Sequence, residues 1–208
     1  MWEQIRDFRR LALGGFDELL RNASLSSAML LFLDNHTNDV QSPQENFGRE
    51  LMELYSCGVG HYTEADVVAM TRAWTGHGIV GDNGSFWDPS YHYWTARHDH
   101  EPKTLFGITA NWNGVAVLPG ERDTITELVH GVRQEATARF IANKLFRWFV
   151  HHTPTDADLD ALATTFIAEG MVISPLLRAI LLHEDFWAPA TRHGQVKNPC
   201  LLYTSDAA

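Results

Sequence analysis

Apolar residues recur at helical spacing along most of this chain, and one long segment interrupts that pattern. Before residue 75 and again after residue 120, hydrophobic side chains return every three or four positions, the period of a helix that faces a core. From 78 to 120, Gly, Pro, Asn, Asp and aromatic residues dominate instead. An irregular stretch of that length is uncommon in a compact domain and is usually functional. We therefore predict a mainly α fold, an irregular multi-helix domain with a long loop or small β-hairpin insertion around 78–120.

Local signals predict where several helices begin and end. The pair Gly14–Gly15 is expected to bend or split the first helix, since paired glycines weaken a helix interior. Thr63 and Thr155 each precede an aspartate by three positions, which resembles a capping box. Ser174 followed by Pro175 predicts the N-cap and the first residue of the last long helix.

Composition and charge exclude several classes of protein. Hydrophobic residues make up 45% of the chain and charged residues 20%, as in ordinary globular proteins. The net charge of −10 argues against a nucleic-acid partner, which calls for a basic face. No apolar run approaches the ~20 residues that a membrane-spanning helix needs. We expect no nucleic-acid partner and no membrane span in this chain.

Residues 200–208 are interpreted as translated adapter DNA. Their sequence, Cys-Leu-Leu-Tyr-Thr-Ser-Asp-Ala-Ala, corresponds codon by codon to a transposon adapter used in sequencing libraries. Such segments are excluded from fold reasoning. The natural sequence is then expected to end near Pro199. With Cys200 set aside, Cys57 is the one remaining cysteine, and no internal disulfide is expected.

Polar residues of the helix predicted over 44–57 fall on one face. The spacing i, i+4, i+7 and i+11 aligns Asn46, Glu50, Glu53 and Cys57, with Arg49 beside Glu53. One interpretation is the solvated face of an amphipathic helix. The other is a polar stripe facing a cleft, where two neighbouring carboxylates share a proton and one pKa rises. In the second case Glu50 and Glu53 are candidate catalytic residues, while Asn46 and Arg49 are candidates for ligand binding.

A second polar group is concentrated in residues 98–103, His-Asp-His-Glu-Pro-Lys. Here His98 and Asp99 are candidate catalytic residues, and Lys103 is a candidate for holding an anionic ligand. Imidazole and carboxylate groups bind zinc or iron, but no H-x-x-x-H or E-x-x-H spacing is present, so the metal and any cofactor stay open. The structural alternative is that an Asp99–Lys103 or Asp99–backbone interaction pins the insertion.

Several motifs resemble a known bacterial family. They lie at 45–68 (Glu-Asn-Phe-Gly-Arg-Glu-Leu-Met-Glu-Leu-Tyr and onwards), 73–76 (Ala-Trp-Thr-Gly), 103–107 (Lys-Thr-Leu-Phe-Gly) and 138–150 (Ala-Arg-Phe-Ile-Ala-Asn-Lys and onwards). Their order and spacing over residues 5–199 resemble the family called domain of unknown function 1800. The sequence departs from many members at His100 and Glu101, where they carry small residues.

The resemblance implies a mostly helical protein to which no reaction is attached. Members are longer at both ends, so residues 1–199 are expected to be a single helical domain cut from a longer protein. Many members look exported, to the periplasm or beyond, and their genes often neighbour another family, domain of unknown function 1501, which is thus the expected partner.

Two functional hypotheses remain open from the sequence. The first is an interaction or scaffold protein outside the cytoplasm. The alternative is an enzyme or ligand-binding protein whose polar cleft lies between the helix carrying Asn46–Glu53 and the loop His98–Lys103. The alternative requires the acidic stripe and the histidine-bearing loop to meet in a shielded pocket.

Overall fold

Helices dominate the structure, a computed structural model that describes residues 2–81, 89–151 and 153–191. Within these ranges there are ten α-helices. In chain order they are α1 (Trp2–Leu11), α2 (Phe16–Leu25), α3 (Ser27–Phe32), α4 (Glu45–Glu53), α5 (Glu64–Ala73), α6 (Thr124–His130), α7 (Gln134–Phe149), α8 (Asp156–Ala168), α9 (Ile173–Leu182) and α10 (Glu184–Trp187). The mainly α prediction is therefore confirmed.

The segment between α5 and α6 holds short strands. They form three pairs within the described residues: β1 (His77–Gly81) antiparallel to β2 (Pro89–Tyr93), β3 (Lys103–Leu105) antiparallel to β4 (Ile108–Ala110), and β5 (Trp112–Asn113) parallel to β6 (Arg122–Asp123). The predicted β insertion is confirmed, but it contains more than the single hairpin expected. Strands of two or three residues are too short to show the alternation that marks a strand in sequence.

Most predicted helix boundaries near capping signals are confirmed. The first helix is split at the paired glycines, since α1 ends at Leu11 and α2 begins at Phe16. Both capping boxes are present, with Thr63 at the start of α5 and Thr155 at the start of α8. In each box the threonine oxygen accepts from the backbone N–H three residues on.

Two predicted boundaries are wrong. α4 ends at Glu53 rather than at 57, and the chain turns back until Gly58 N donates to Met52 O at 2.8 Å. α9 begins at Ile173, so Ser174 is not its N-cap. Contacts with distant residues set that start, because Ile173 N donates to Gly14 O at 2.9 Å.

One tryptophan joins the helical core to the insertion. Trp74, at the end of α5, is fully buried. The centroid of its indole ring lies 4.6 Å from the centroid of the Phe47 phenyl ring on α4. Its Nε1 donates to Thr124 Oγ1 at 3.1 Å. Gly114 approaches the ring so closely that a Cβ there would lie 2.5 Å from it. The C-terminal part of the insertion is thus packed against the end of α5, from which the insertion starts.

The C-terminal helices complete the core. α7, α8 and α9 pack against one another, and the fully buried side chains Phe146, Phe166 and Leu176 come one from each helix. Such side chains each stabilise the fold by ~1.5–3 kcal/mol relative to exposure. These helices belong to the same hydrophobic core as α2, α4 and α5.

Candidate metal centre

The segment 95–103 is fastened to the end of α5 by Asp99. Its carboxylate accepts a 2.6 Å hydrogen bond from Arg72 Nε, and its N–H donates to Thr75 Oγ1 at 2.8 Å. Burial opposes ionisation of Asp99, but the bonds from Arg72 and from Glu101 N lower the pKa of this carboxyl below its usual value. Asp99 is therefore an ionised, fully engaged group, and these contacts favour a positioning role over proton transfer.

Lys103 is buried beneath the same segment and donates hydrogen bonds to its backbone carbonyls. Its side chain is 1% exposed, and Nζ donates to Asp99 O and, at 2.9 Å, to Glu101 O. Burial lowers the pKa of Lys103 to about 8, and the Asp99 carboxylate 4.0 Å away opposes that shift. The structure thus shows the interaction of Lys103 with Asp99 that the sequence predicts as the alternative to a catalytic or binding role, namely one that holds the insertion in place.

His98 has a tautomer fixed by the fold. It is 4% exposed, and its Nδ1 lies 2.8 Å from Thr75 O. A carbonyl oxygen only accepts, so Nδ1 carries the proton and Nε2 keeps its lone pair. Burial lowers the pKa of His98, which favours the neutral ring. In the described part of the chain no hydrogen bond uses Nε2.

His100 shows the same arrangement with its nitrogens exchanged. Its Nε2 lies 2.9 Å from Thr95 O, so Nε2 carries the proton. The Nδ1 lone pair has no hydrogen-bond partner among the described residues. The ring is exposed and meets His98 edge to face, with centroids 4.9 Å apart.

Glu121 supplies a carboxylate of which one oxygen, Oε2, is hydrogen-bonded within the fold. Its Oε2 accepts from Asn113 Nδ2 at 2.9 Å and from the backbone N–H groups of Val117 and Leu118 at 2.8 Å each. Burial opposes ionisation, but these donors outweigh it and lower the pKa of Glu121. Within the described ranges, Oε1 takes part in no hydrogen bond.

These three side chains converge. One nitrogen of each imidazole and one oxygen of Glu121 lie within 4.8 Å of one another. They line a cavity of about 150 Å³, together with Lys103 and Trp112 among others. Metal–ligand bonds of ~2.0–2.2 Å would draw these donor atoms closer to one another around an ion.

A second cluster, Asp158, His183 and Asp185, has comparable spacing but different hydrogen bonding. His183 Nδ1 accepts from Asp185 N at 3.3 Å, as an N-cap of α10, so its Nε2 carries the proton and donates to Asp158 Oδ1 at 3.3 Å. Both nitrogens are used, and no lone pair is left for a metal. The tautomers therefore distinguish the two clusters, and of these two only the first leaves each histidine a nitrogen lone pair with no hydrogen-bond partner among the described residues.

The polar residues of α4 are mostly paired with neighbours. Asn46 is exposed, and Nδ2 lies 3.5 Å from Leu33 O. Arg49 donates through both terminal nitrogens to Glu64 at 2.8 Å, rather than pairing with Glu53 as the helical spacing suggests. Glu50 is half-buried on the same helix.

Glu53 lies in a different cavity from the loop histidines. It accepts a 2.7 Å hydrogen bond from Tyr62 Oη and, with His61 and Arg139, lines a space of about 390 Å³. His98 and Lys103 line the smaller cavity instead. The structure brings His98, Asp99 and Lys103 together, and the single cleft shared with the α4 stripe stays a prediction.

Two of the three side chains, His100 and Glu121, are not predicted as site residues from the sequence. His100 lies within the predicted loop, and its spacing from His98 marks no helix face. Glu121 is distant in sequence and reaches the site through the packing of Trp74 against Thr124 and Gly114. No local sequence pattern predicts such a tertiary contact.

Fold and site define a mainly α protein with a histidine–carboxylate cavity built on an irregular insertion. The chain belongs to the family described as protein of unknown function (DUF1800), whose family model matches residues 1–207. No curated protein and no solved structure gives a significant match. None of the described helices combines the length and apolar character needed to cross a membrane. Residues 200–208 lie outside the described ranges, so their assignment to adapter DNA stays a prediction.

Proposed function

We propose that this protein binds a divalent transition-metal ion through His98, His100 and Glu121, and that the metal serves a ligand-binding or enzymatic function. One observation carries the proposal: one donor atom from each of the three side chains lies within 4.8 Å of the other two, and each side chain has one polar atom hydrogen-bonded within the fold and one with no partner among the described residues. Metal-binding histidines commonly donate their second N–H to a carbonyl or carboxylate, which fixes the tautomer and the ring orientation. Thr75 O and Thr95 O fill that role here.

The donor set favours a metal with open coordination positions. Two imidazoles and one carboxylate suit zinc or ferrous iron. Three protein ligands leave at least one position for water or a substrate, as in catalytic rather than structural sites. The cavity of about 150 Å³ beside the donors gives room for a small ligand.

Lys103 is the charge that opposes a cation in this cavity. Its ammonium group is already bonded to two carbonyl oxygens and faces the Asp99 carboxylate, which offsets its charge. Glu121 adds a second anionic group, and the chain carries a net charge of −10. Asp99 is also paired with Arg72, so the attraction for a cation comes from the Glu121 carboxylate and the two imidazole lone pairs rather than from a net negative charge at the site.

Metal titration tests the proposal directly. The purified chain, freed of metal with a chelator, is titrated with Zn²⁺ and Co²⁺ by calorimetry, and Co²⁺ binding is also followed by visible absorption. We expect saturable binding of one ion. The substitutions His100→Ala and Glu121→Gln should each weaken binding by at least ~10-fold.

His92→Ala is the matched control, because His92 is an exposed histidine of β2 that belongs to neither described cluster. It should bind both metals as the wild type does. If the wild type shows no saturable binding, or if His92→Ala and His100→Ala weaken binding equally, the proposed site is wrong.

A second candidate function is an interaction or scaffold role outside the cytoplasm. The observation that favours it is the exposure of large apolar side chains on α7, α9 and α10, namely Trp148, Leu182 and Trp187, which are 57%, 67% and 68% exposed. Contiguous exposed apolar side chains are typical of interaction surfaces, and Trp187 lies against the end of α9, where its Nε1 donates to Leu181 O at 2.9 Å. The export and the partner, a protein of the domain of unknown function 1501 family, rest on the family resemblance.

Co-expression with that partner tests the second candidate. The double substitution Leu182→Ser and Trp187→Ser should abolish co-purification without changing the circular dichroism spectrum. Val59→Ser is the control, since Val59 is 73% exposed on a different part of the chain. Co-purification that survives the double substitution would contradict a role for this surface.

A further inference from the structure

We infer that Asn113, held in place by His77 and Tyr93, is a positioning residue that helps to hold Glu121 with Oε1 available to the metal. The inference rests on the proposed metal site and concerns residues that do not themselves reach the ion. Both His77 and Asn113 are fully buried. Burying polar side chains is costly unless each finds a partner, so the contacts they make inside the core are informative.

A continuous chain of hydrogen bonds leads from the hairpin to the carboxylate. Tyr91 Oη lies 2.9 Å from His77 Nδ1, and His77 Nε2 lies 2.5 Å from Asn113 Oδ1. Asn113 Nδ2 then donates to Glu121 Oε2 at 2.9 Å and to Tyr93 Oη at 3.2 Å. The chain connects β1 and β2 with β5 and with the residue next to β6.

The direction of every bond in this chain is fixed by chemistry. The Glu121 carboxylate only accepts, so the amide nitrogen of Asn113 must face it and the amide oxygen must face His77. His77 Nε2 therefore carries the proton, and Nδ1 accepts from the Tyr91 hydroxyl. Burial lowers the pKa of His77 to about 4, which keeps the ring neutral and this arrangement intact at neutral pH.

The consequence is a carboxylate with two unlike oxygens. Oε2 receives N–H bonds from Asn113, Val117 and Leu118, and only Oε1 stays available. Glu121 thus binds the ion through one oxygen. Without the Asn113 amide, Oε2 keeps only its two backbone donors, so the carboxylate is held less firmly in the orientation that presents Oε1 to the ion.

Asn113→Ala tests the inference in the same metal titration. Loss of a hydrogen bond to a metal ligand typically weakens binding ~10–100-fold, and we expect a loss in that range for Zn²⁺ and Co²⁺. The visible spectrum of bound Co²⁺ should also change, because it reports ligand geometry. A purely structural role would lower the melting temperature and leave the spectrum of the bound metal unchanged.

Asn38→Ala is the matched control. Asn38 is likewise a buried asparagine, 1% exposed, and donates to Thr71 O at 2.9 Å without touching Glu121. It should lose stability yet bind Co²⁺ with the wild-type affinity and spectrum. If Asn113→Ala does not fold, Tyr93→Phe decides, since it removes the acceptor of the second amide hydrogen and should weaken binding in the same direction.

The possible failures are distinguishable. A wild-type protein that binds no metal overturns the proposed function. A wild type that binds metal, with Asn113→Ala (or Tyr93→Phe in its place) unchanged in affinity and spectrum, overturns this inference alone. Equal effects of Asn38→Ala and Asn113→Ala on the spectrum would also overturn it, because the change would then be a general consequence of core damage.

Discussion

His77 is an imidazole that the fold keeps uncharged. Both of its nitrogens are hydrogen-bonded, and its ring packs 4.9 Å from those of Trp74 and Tyr93. Burial lowers its pKa from 6.5 to about 4. An unfolded chain has no such restraint, so its His77 binds a proton at a higher pH than the folded chain does.

This difference predicts a loss of stability in mild acid. Above pH 6.5 both states are neutral at His77, and between pH 6.5 and about 4 only the unfolded state takes up the proton. The free energy of unfolding should fall across that window by about 3 kcal/mol from this residue. Urea denaturation at a series of pH values, with chelator present, measures it.

His77→Gln is the comparison that isolates the effect. Burial also lowers the pKa of His98, which contributes with the same sign, so the difference between the two proteins is the relevant quantity. The variant should show a distinctly shallower dependence on pH between 6.5 and about 4. Identical slopes in both proteins would contradict the assignment.

Cys57 is protected by burial rather than by the helix that precedes it. It lies beyond the end of α4, is 1% exposed, and burial raises the pKa of its thiol to about 11. α4 ends at Glu53, so Cys57 is not part of that helix.

Alkylation of Cys57 should therefore report unfolding. In a Cys200→Ser background, iodoacetamide labelling at neutral pH should be very slow and should accelerate in proportion to the unfolded fraction as urea is added. Mass spectrometry of quenched samples follows the reaction. Rapid labelling of the native protein would show that the thiol is accessible.

At the level of elements, one aspartate joins α5 to the β3–β4 hairpin. Asp66 Oδ2 completes the capping box with Thr63, while Oδ1 accepts from Phe106 N at 2.7 Å. Asp158, in the equivalent position of α8, accepts from Thr155 and from His183 instead. The same sequence pattern thus has different tertiary consequences.

Asp66→Ala should consequently lower the free energy of unfolding by more than the loss of an N-cap alone does. Removing an N-cap bond costs ~1 kcal/mol, and leaving the buried Phe106 N–H without a partner adds ~1–3 kcal/mol. Thr155→Ala, which removes one cap on the exposed start of α8, should cost only ~1 kcal/mol. Chemical denaturation measures the free energy of unfolding of both variants. Equal losses of stability would contradict the proposed contribution of the Asp66–Phe106 hydrogen bond.

The elements that the sequence predicts correctly are those with local signals. Both capping boxes and the split at Gly14–Gly15 depend on residues within a few positions of each other. The start of α9 depends instead on the pairing of Val172 with Gly15, far away in the chain. The sequence gives no sign of that contact.

The same distinction holds for the site. His98, Asp99 and Lys103 were predicted as one group because they are neighbours in the chain. Glu121 was not, since its place beside them follows from packing around Trp74. Whether this group shares a cleft with the α4 stripe likewise depends on tertiary packing, and the helical spacing of residues in the sequence does not predict how distant segments pack.

At the scale of the whole molecule, the candidate ligands come from two separated stretches of chain. His98 and His100 lie before β3, and Glu121 lies after β5. The chain between them includes the exposed residues Val117 and Leu118. Apart from β3, β4 and β5, that chain has little regular structure.

An ion bound by all three residues would act as a reversible cross-link across that stretch. Subtilisin should then cut near Val117 and Leu118 more slowly when Zn²⁺ is present than when it is chelated, because opening the loop would require releasing the ion. Glu121→Gln should be cut at the same rate in both conditions. Gel electrophoresis and mass mapping of the fragments follow the digestion, and a wild type whose digestion ignores zinc would show that no such cross-link forms.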